Sequence, residues 1–478
     1  MKSSGIPQFA VIGHPNEGKS SVVSTLAEDD SVRITNTPGE TVSCRGFPVV
    51  VDGEEIIRFV DTPGFQSPLS SLRWLKDNEG HDMLDRFVHA HREDPAFKGE
   101  CELFGPLIDG AGIIYVVDAS RPLRSFDHAE MEILRMTGIS RMAIINNKDE
   151  MPRYTPQWKE ELRKTFNSTR VFNAHLATYA QRLGLLEALK GIDQEREASI
   201  GRVIEAFRKD WLYRNIETAR IVCDMLSMCL RHKIVKDYYR DVDITRERTG
   251  LEESFKADIS HMERQAQLKI KALFRHNIFD YMMPEQSMAG ADLFHRQTWQ
   301  VLGLKPWQIV AAGAATGSGI GLGLDAATAG ITFGVFAISG ALIGAVSALF
   351  SGQKAAKATI KGPMSGRFGL PGKIGGSRII IGPISSVQLP YILLDRALIF
   401  YAHTINWAHG RRNRAGKGPD ESRTRGYVSG FSEDQLQVCS GFFRSIRTLD
   451  ETAYGKNKDG MTDMILGLLT EISHNEHY

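Results

Sequence analysis

The sequence predicts an α/β domain with a mixed, mostly parallel sheet, followed by a mainly α-helical C-terminal region that contains a Gly-rich hydrophobic helical hairpin. Three observations carry this reading. A glycine loop, Gly13 to Ser21, sits between an apolar run and a helix start. Short apolar, β-branched runs alternate with helical patterns up to Phe172 and end in Asp or Asn. From Ser199 to Tyr281 the chain is dense in charge, lacks proline and spaces its apolar residues as a helix does.

At 478 residues the chain exceeds what one core supports, so two to four domains are expected. The net charge of +1 gives no global field that would draw nucleic acid or an acidic substrate. The five cysteines form no C-x-x-C pair, which argues against a disulfide framework or a zinc site and fits a reducing cytoplasm. The N-terminus has no apolar run of the kind a signal peptide needs.

The first strand is Gln8 to Ile12. The loop after it reads Gly-His-Pro-Asn-Glu-Gly-Lys-Ser-Ser and matches G-x-x-x-x-G-K-[ST] at every fixed position. Strand, glycine loop and helix N-terminus together point backbone N–H groups at a polyphosphate. Asn16, Glu17, Gly18, Lys19, Ser20 and Ser21 form the expected cradle. Gly13 and Gly18 allow close wrapping, since a side chain there would meet the phosphates. Lys19 would reach the β and γ phosphates, and Ser20 would ligate magnesium.

Ser31 to Thr41 is polar and rich in turn residues. Thr41 follows Pro38-Gly39-Glu40 and is the expected threonine that closes on magnesium and the γ-phosphate, with Thr35 and Thr37 as rivals. Phe47 to Val51 and Ile56 to Val60 read as strands joined at Asp52-Gly53. The second leads into Asp61-Thr62-Pro63-Gly64. Asp61 at a strand end can hold the metal through a water, and the Gly64 N–H can register the γ-phosphate. Phe65 follows, so a water-positioning glutamine is absent there; Gln66, one place on, reads more simply as an exposed loop residue.

Helical patterning follows around Leu69 to Trp74 and Met83 to Arg92. The i, i+2 spacing of His89 and His91 puts them on different sides of a helix and argues against a metal site. Gly112 to Val117 reads as a central parallel strand ending at Asp118, and Arg124 to Met136 as a helix. Ala143 to Ile145 is the next strand. The segment after it, Asn146-Asn147-Lys148-Asp149-Glu150, aligns with the guanine motif N-K-x-D in two ways. One keeps Asn146 and Asp149 and loses the lysine; the other keeps Asn147-Lys148 and replaces Asp with Glu150. The first is preferred, because the Asn follows the strand directly. Trp158 to Phe166 reads as a helix and Arg170 to Phe172 as the last strand. It leads to Asn173-Ala174-His175, where Ala174 is the expected backbone donor to guanine O6.

The loop at Gly13 to Ser20, Pro-Gly-x-Thr at Pro38 to Thr41 and Asp-Thr-Pro-Gly at Asp61 to Gly64 together resemble the TrmE–Era–EngA branch of switch GTPases. The resemblance implies a P-loop GTPase domain that binds GTP or GDP with Mg2+, and a potassium ion held by Asn16 in place of an arginine finger. Cys101 to Phe104, Asp109 to Asp118 and Val171 to His175 extend it to bacterial MMR/HSR-type GTPases with a C-terminal domain of unknown function.

Beyond Ser199, two or three long helices are expected, broken near Asp241 to Gly250. Pro306 to Phe350 carries only one charge, Asp325. Its glycines recur every four residues at Gly313, Gly317 and Gly321, then in the pairs Gly330/Gly334 and Gly340/Gly344. Such a face lets two helices approach closely, as in membranes. Lys305 lies before it, and Lys354, Lys357, Lys361, Arg367 and Lys373 lie after it, which would keep both ends cytoplasmic. A glycine-zipper pair buried within protein, in a soluble domain or an oligomer, is the competing expectation.

A short strand at Arg378 to Ile381, a helix over Gln388 to Gly410, a basic linker over Arg411 to Arg425 and closing helices over Ser432 to Ile446 and Thr462 to Ile472 complete the chain. The expected organisation is 1–195 for the nucleotide domain, 196–300 for a charged helical region, 301–361 for the hairpin and 362–478 for a mainly helical region.

The function this implies is a slowly hydrolysing GTP switch, with Lys19, Thr41 and Gly64 at the γ-phosphate and Ser20, Thr41 and Asp61 around the metal. Its effector region would act at the inner face of the cytoplasmic membrane, in a homodimer or oligomer. The alternatives are a membrane scaffold or pore-like assembly with a purely regulatory nucleotide site and a ribosome- or RNA-associated GTPase.

Overall fold

The computed structural model describes residues 6–27, 43–51, 53–146, 153–174, 177, 179–238, 243–274, 293, 294, 302, 356–361, 377–384, 386–405, 426–448 and 451–474. The Gly-rich segment 306–350, the linker 411–425, Thr35, Thr37, Thr41 and Asn147 to Glu150 lie outside the described residues.

The first half is a six-stranded sheet in the order β2-β3-β1-β4-β5-β6. Its strands are β1 (Gln8–Ile12), β2 (Arg45–Val51), β3 (Glu54–Asp61), β4 (Gly112–Val117), β5 (Arg141–Asn146) and β6 (Ser168–Phe172). All neighbours run parallel except β2, which returns antiparallel along β3. Five strands therefore end at one edge of the sheet. Val11 pairs with Asp61, Ile12 with Tyr115, Val117 with Ile145 and Asn146 with Phe172. That register brings the loops after β1, β3, β4, β5 and β6 together, as doubly wound sheets do with their ligand sites.

Strand residues alternate between two faces. Phe9, Val11, Phe59, Ile114, Val116 and Ile144 pack under α1 (Lys19–Ala27), α7 (Tyr179–Ile192) and the start of α8 (Glu197–Arg231). Ala10, Ile12, Ile113, Tyr115, Ala143 and Ile145 pack under α2 (Pro68–Asp77), α3 (Met83–His91), α4 (Lys98–Ile108), α5 (Ser125–Met136) and α6 (Thr155–Thr165). Both faces are covered, so the central strands are apolar throughout.

Helix α8 runs unbroken for 35 residues and serves two cores. Ile200, Val203, Ile204 and Phe207 pack on the sheet with α1. Trp211, Ala219, Val222, Leu226 and Leu230 pack into a second core. That core is completed by α9 (Ile244–Leu273), α10 (Gln388–Ile405), α11 (Glu433–Thr448) and α12 (Glu451–His474). Tyr391, Leu394, Ala397, Leu398 and Tyr401 of α10 are all buried in it. Asp243 caps α9 by accepting from the Thr245 and Arg246 N–H groups at 3.0 and 3.1 Å.

One element departs from the helical expectation for 196–300. Between α8 and α9 lies β7 (Ile234–Tyr238), which joins β8 (Ala356–Lys361) and β9 (Ser377–Ile384) in an antiparallel sheet of order β7-β9-β8. Its five residues, Ile-Val-Lys-Asp-Tyr, are too few for a period to separate strand from helix. The pairing that fixes them, Val235 with Ile380, spans a large separation in sequence.

The second core holds a buried ion pair. Arg396 on α10 donates to Glu263 on α9 at 2.5 and 3.1 Å, and both side chains are about 5 % exposed or less. Burial pushes the Glu263 carboxyl up, and the Arg396 charge opposes that rise. Arg396→Ala leaves a carboxylate buried beyond reach of a cation. We expect it to cost about 3–5 kcal/mol in chemical denaturation, the range for breaking a buried pair.

Candidate functional site

The phosphate loop is held open by backbone geometry. Gly13 has φ +151°, Asn16 φ +69° and Gly18 φ +95°. Asn tolerates the left-handed region better than most side chains. The need for glycine at 13 comes from the sheet. A Cβ there would stand 2.2 Å from the Val116 carbonyl oxygen of β4, so the expected collision with phosphate is preceded by one with the neighbouring strand. Lys19, 7 % exposed, donates to the carbonyls of Gly13 and His14, each at 3.1 Å, and so spans the loop from within. Ser21 is buried in the first turn of α1.

Ser20 and Asp61 meet directly. The Ser20 hydroxyl donates to Asp61 Oδ2 at 2.7 Å. Thr62 donates to the Val11 carbonyl at 2.8 Å and ties the Asp-Thr-Pro-Gly segment to β1. Gly64 lies against the phosphate loop, where a Cβ would be 2.6 Å from Pro15 Cδ. A hydroxyl and a carboxylate side by side are hard oxygen donors, which fits Mg2+ held together with substrate phosphates. Phe65 is fully buried and packs edge-on to Phe104 at 6.4 Å between ring centres. It therefore points into the core and not at the phosphates, while Gln66 is exposed.

Asn146 ends β5 and is fully buried. Its amide donates to the Glu17 carbonyl at 3.0 Å, and its oxygen accepts from the Ala174 N–H at 3.2 Å. One side chain thus joins the phosphate loop to the loop after β6. The Ala174 N–H, offered to guanine O6 on sequence grounds, is engaged by Asn146, and the Ala174 carbonyl accepts from Thr25 at 2.8 Å.

Two charged networks under the loop have no counterpart in the sequence reading. Glu17, 3 % exposed, accepts from the Asp118 N–H and from Arg121 at 2.6 and 3.1 Å. Arg121 also holds buried Asp127 at 2.7 and 2.8 Å and lies over the rings of Phe126 and Trp158. Burial raises the Glu17 carboxyl, and Arg121 pulls it back. In the second network, His14 Nδ1 meets Glu130 Oε1 at 3.0 Å, Tyr115 donates to Glu130 Oε2 at 2.9 Å, and the His14 ring stacks on Phe126. Burial pushes the Glu130 carboxyl up. The partners stand about a hundred positions apart in the chain, and no local spacing announces them.

His91 packs against Trp74, Phe87 and Phe97. Among the described residues no cluster of three or more metal-ligating side chains forms.

Asn146→Ala strands the Glu17 carbonyl and the Ala174 N–H in a buried place. We expect a loss of about 1–3 kcal/mol, the cost of unpaired buried polar groups. It should appear as a lower melting temperature without nucleotide and as weaker GDP binding.

Comparison with known proteins follows the same division. Residues 8–148 match the 50S ribosome-binding GTPase family, and residues 159–467 match a domain of unknown function, DUF3482. Among curated relatives, GTPase Der of Lactobacillus delbrueckii subsp. bulgaricus is 42 % identical over 149 residues, covering 31 % of this chain and 29 % of the relative. The tRNA modification GTPase MnmE of Mycoplasmoides gallisepticum is 31 % identical over 84 residues, 18 % of each chain. MnmE of Thermotoga petrophila is 24 % identical over 217 residues, 45 % of this chain and 40 % of the relative. The chain thus spans less than half the length of these curated relatives. Solved structures similar to it include Era in complex with MgGDPNP and nucleotides 1506–1542 of 16S ribosomal RNA, at 16 % identity and a TM-score of 0.26. That match covers 56 % of this chain and 89 % of the other. An S. thermophilus NFeoB variant bound to GDP·AlF4− matches at 16 % identity and a TM-score of 0.25, over 57 % and 90 % of the two chains. The match over 159–467 takes in more than half of the sequence, so the chain belongs to the DUF3482 family, with a P-loop GTPase domain ahead of that region.

Proposed function

We propose that the chain binds and slowly hydrolyses GTP, and that its nucleotide state is passed to the C-terminal helical region. The observation that carries the reading is the Ser20–Asp61 hydrogen bond at 2.7 Å beside the Lys19 ammonium. These groups offer a metal ligand pair and a cation at the edge where five strands end.

In this reading Lys19 exchanges the Gly13 and His14 carbonyls for β and γ phosphate oxygens. Ser20 and Asp61 hold Mg2+, which neutralises phosphate charge when bound. The Gly64 N–H meets the γ-phosphate, with Thr41 closing from the other side. Asp149 reads the base, and Asn146 keeps its loop in register with the phosphate loop. The burial of Phe65 supports slow turnover, since the position after the Asp-Thr-Pro-Gly segment offers no group to orient the attacking water. Asn16, exposed and left-handed at the mouth of the loop, is the proposed potassium ligand.

The shared helix α8 supports the coupling. It packs on β2 and on β3, which ends in Asp61, and continues into the second core. The proposed output is attachment to a membrane through 306–350. No helix among the described residues is long and apolar enough to cross one.

Lys19→Ala should lower GTP turnover about 100-fold or more, the scale for losing a preorganised charge at developing negative charge. Turnover that survives undiminished removes the enzymatic reading. Replacing K+ by Na+ should slow the wild type, and Asn16→Ala should lose that difference. Cell extract fractionated with GDP or with a non-hydrolysable GTP analogue should move the chain between soluble and membrane fractions. An unchanged distribution counts against the output, and a salt-sensitive shift to the ribosome pellet would assign it to RNA.

A further inference from the structure

Helix α4 plays no part in the phosphate chemistry above, yet it touches both segments that flank the metal pair. Glu100, in its first turn, is fully buried. Its Oε1 accepts from the backbone N–H groups of Gln66 and Ser67, at 2.8 and 2.5 Å. These amides follow the Asp-Thr-Pro-Gly segment and lead into α2. Ser67, the N-cap of α2, makes no side-chain capping bond of its own, so Glu100 does that work from another helix.

The rest of α4 grips the same loop. Phe104 packs on Phe65, and Gly99 lies so near Gln66 that a Cβ would be 2.9 Å from its Cδ. Two residues after Glu100, Glu102 reaches the start of β2. Its carbonyl accepts from the Cys44 thiol at 3.1 Å, and its carboxylate from the Cys44 N–H at 3.5 Å. The Cys44 thiol is pushed up to about 12 by burial, with the charges of Glu102 and Asp61 adding to the rise. The next residue, Arg45, pairs with Asp61 in the sheet, so this contact stands near the metal pair.

A plain helix cap would be complete with one oxygen. Glu100 Oε2 is instead buried with no hydrogen-bond partner among the described residues. Burying half of a carboxylate unused is costly, and such groups call for an explanation beyond packing. The loop it holds contains Gly64, which is pressed on Pro15 of the phosphate loop.

We propose that Glu100 is a positioning residue for GTP hydrolysis: by fixing the Gln66 and Ser67 amides it holds Gly64 where the γ-phosphate arrives, and so sets the preference for GTP over GDP. It acts through the loop and does not touch the nucleotide. The proposal rests on the GTPase reading above.

The test uses the full chain. Affinities for GDP and for a non-hydrolysable GTP analogue, single-turnover rates with GTP and melting temperatures are compared for wild type, E100A, E100Q and E100D. E100A should weaken the GTP analogue and slow turnover by about tenfold or more, while GDP affinity changes by less than about threefold, since misplacement of a positioning group costs rate steeply. E100Q keeps an acceptor for both amides and should recover most of the loss. Equal weakening of both nucleotides, or an E100A variant that matches wild type in turnover and selectivity, overturns the proposal and leaves Glu100 a helix cap. If E100A does not fold, E100D decides. A GTP-selective loss of about threefold or more supports the proposal, and wild-type selectivity overturns it. A wild type that binds neither nucleotide overturns the GTPase reading itself, which the E100A comparison alone does not do.

Discussion

A buried carboxylate inside a loop built for phosphates sets the terms of the whole site. Glu17 carries a negative charge into the place where a polyphosphate would bring several more, and burial makes that charge expensive. Arg121 offsets it, and Arg121 is in turn fixed by Asp127, Phe126 and Trp158. The loop therefore keeps its shape only while α5 and α6 stay seated on the sheet. The Glu17 carbonyl, held by Asn146, carries the same dependence across to the loop after β6.

The parts of this arrangement that were legible in the sequence are those whose chemistry is local. Gly13 to Ser21, the Asp61 segment and the apolar runs before them could be placed because each motif sits at a strand end, and the sheet register aligns those ends. What could not be read rests on pairs distant in the chain. Glu17 with Arg121, His14 with Glu130, and Glu100 with the Gln66 amide each join residues that no window of sequence holds together. Gly13 shows a subtler limit: the motif identified the glycine, while the reason for it lies in a carbonyl of another strand. Strand β7 was missed because five residues of mixed character become a strand only through pairing with β9.

The second half obeys a different logic. Its core is assembled from α8 and α9 before the Gly-rich segment and from β9 and α10 to α12 after it. Tyr179 stacks on Trp211, Trp211 meets Phe274, and Phe274 meets Tyr401, whose hydroxyl donates to Asn215 and to the Leu469 carbonyl. This line of rings begins at the start of α7, just beyond the base-side loop, and ends among helices of the second core. Because Trp211 lies on α8, these rings join α7 to the second core through that same helix.

Because one helix supplies side chains to both cores, neither half completes its packing without it. A chain severed between α7 and α8 would keep every phosphate-loop residue and still strip Ile200, Val203, Ile204 and Phe207 from the sheet. A recombination event that exchanged the C-terminal region would have to import a helix whose first turns already fit a foreign α1. At 1.5 Å per residue, α8 is about 52 Å long. The join between the halves is thus a continuous helix and not a linker.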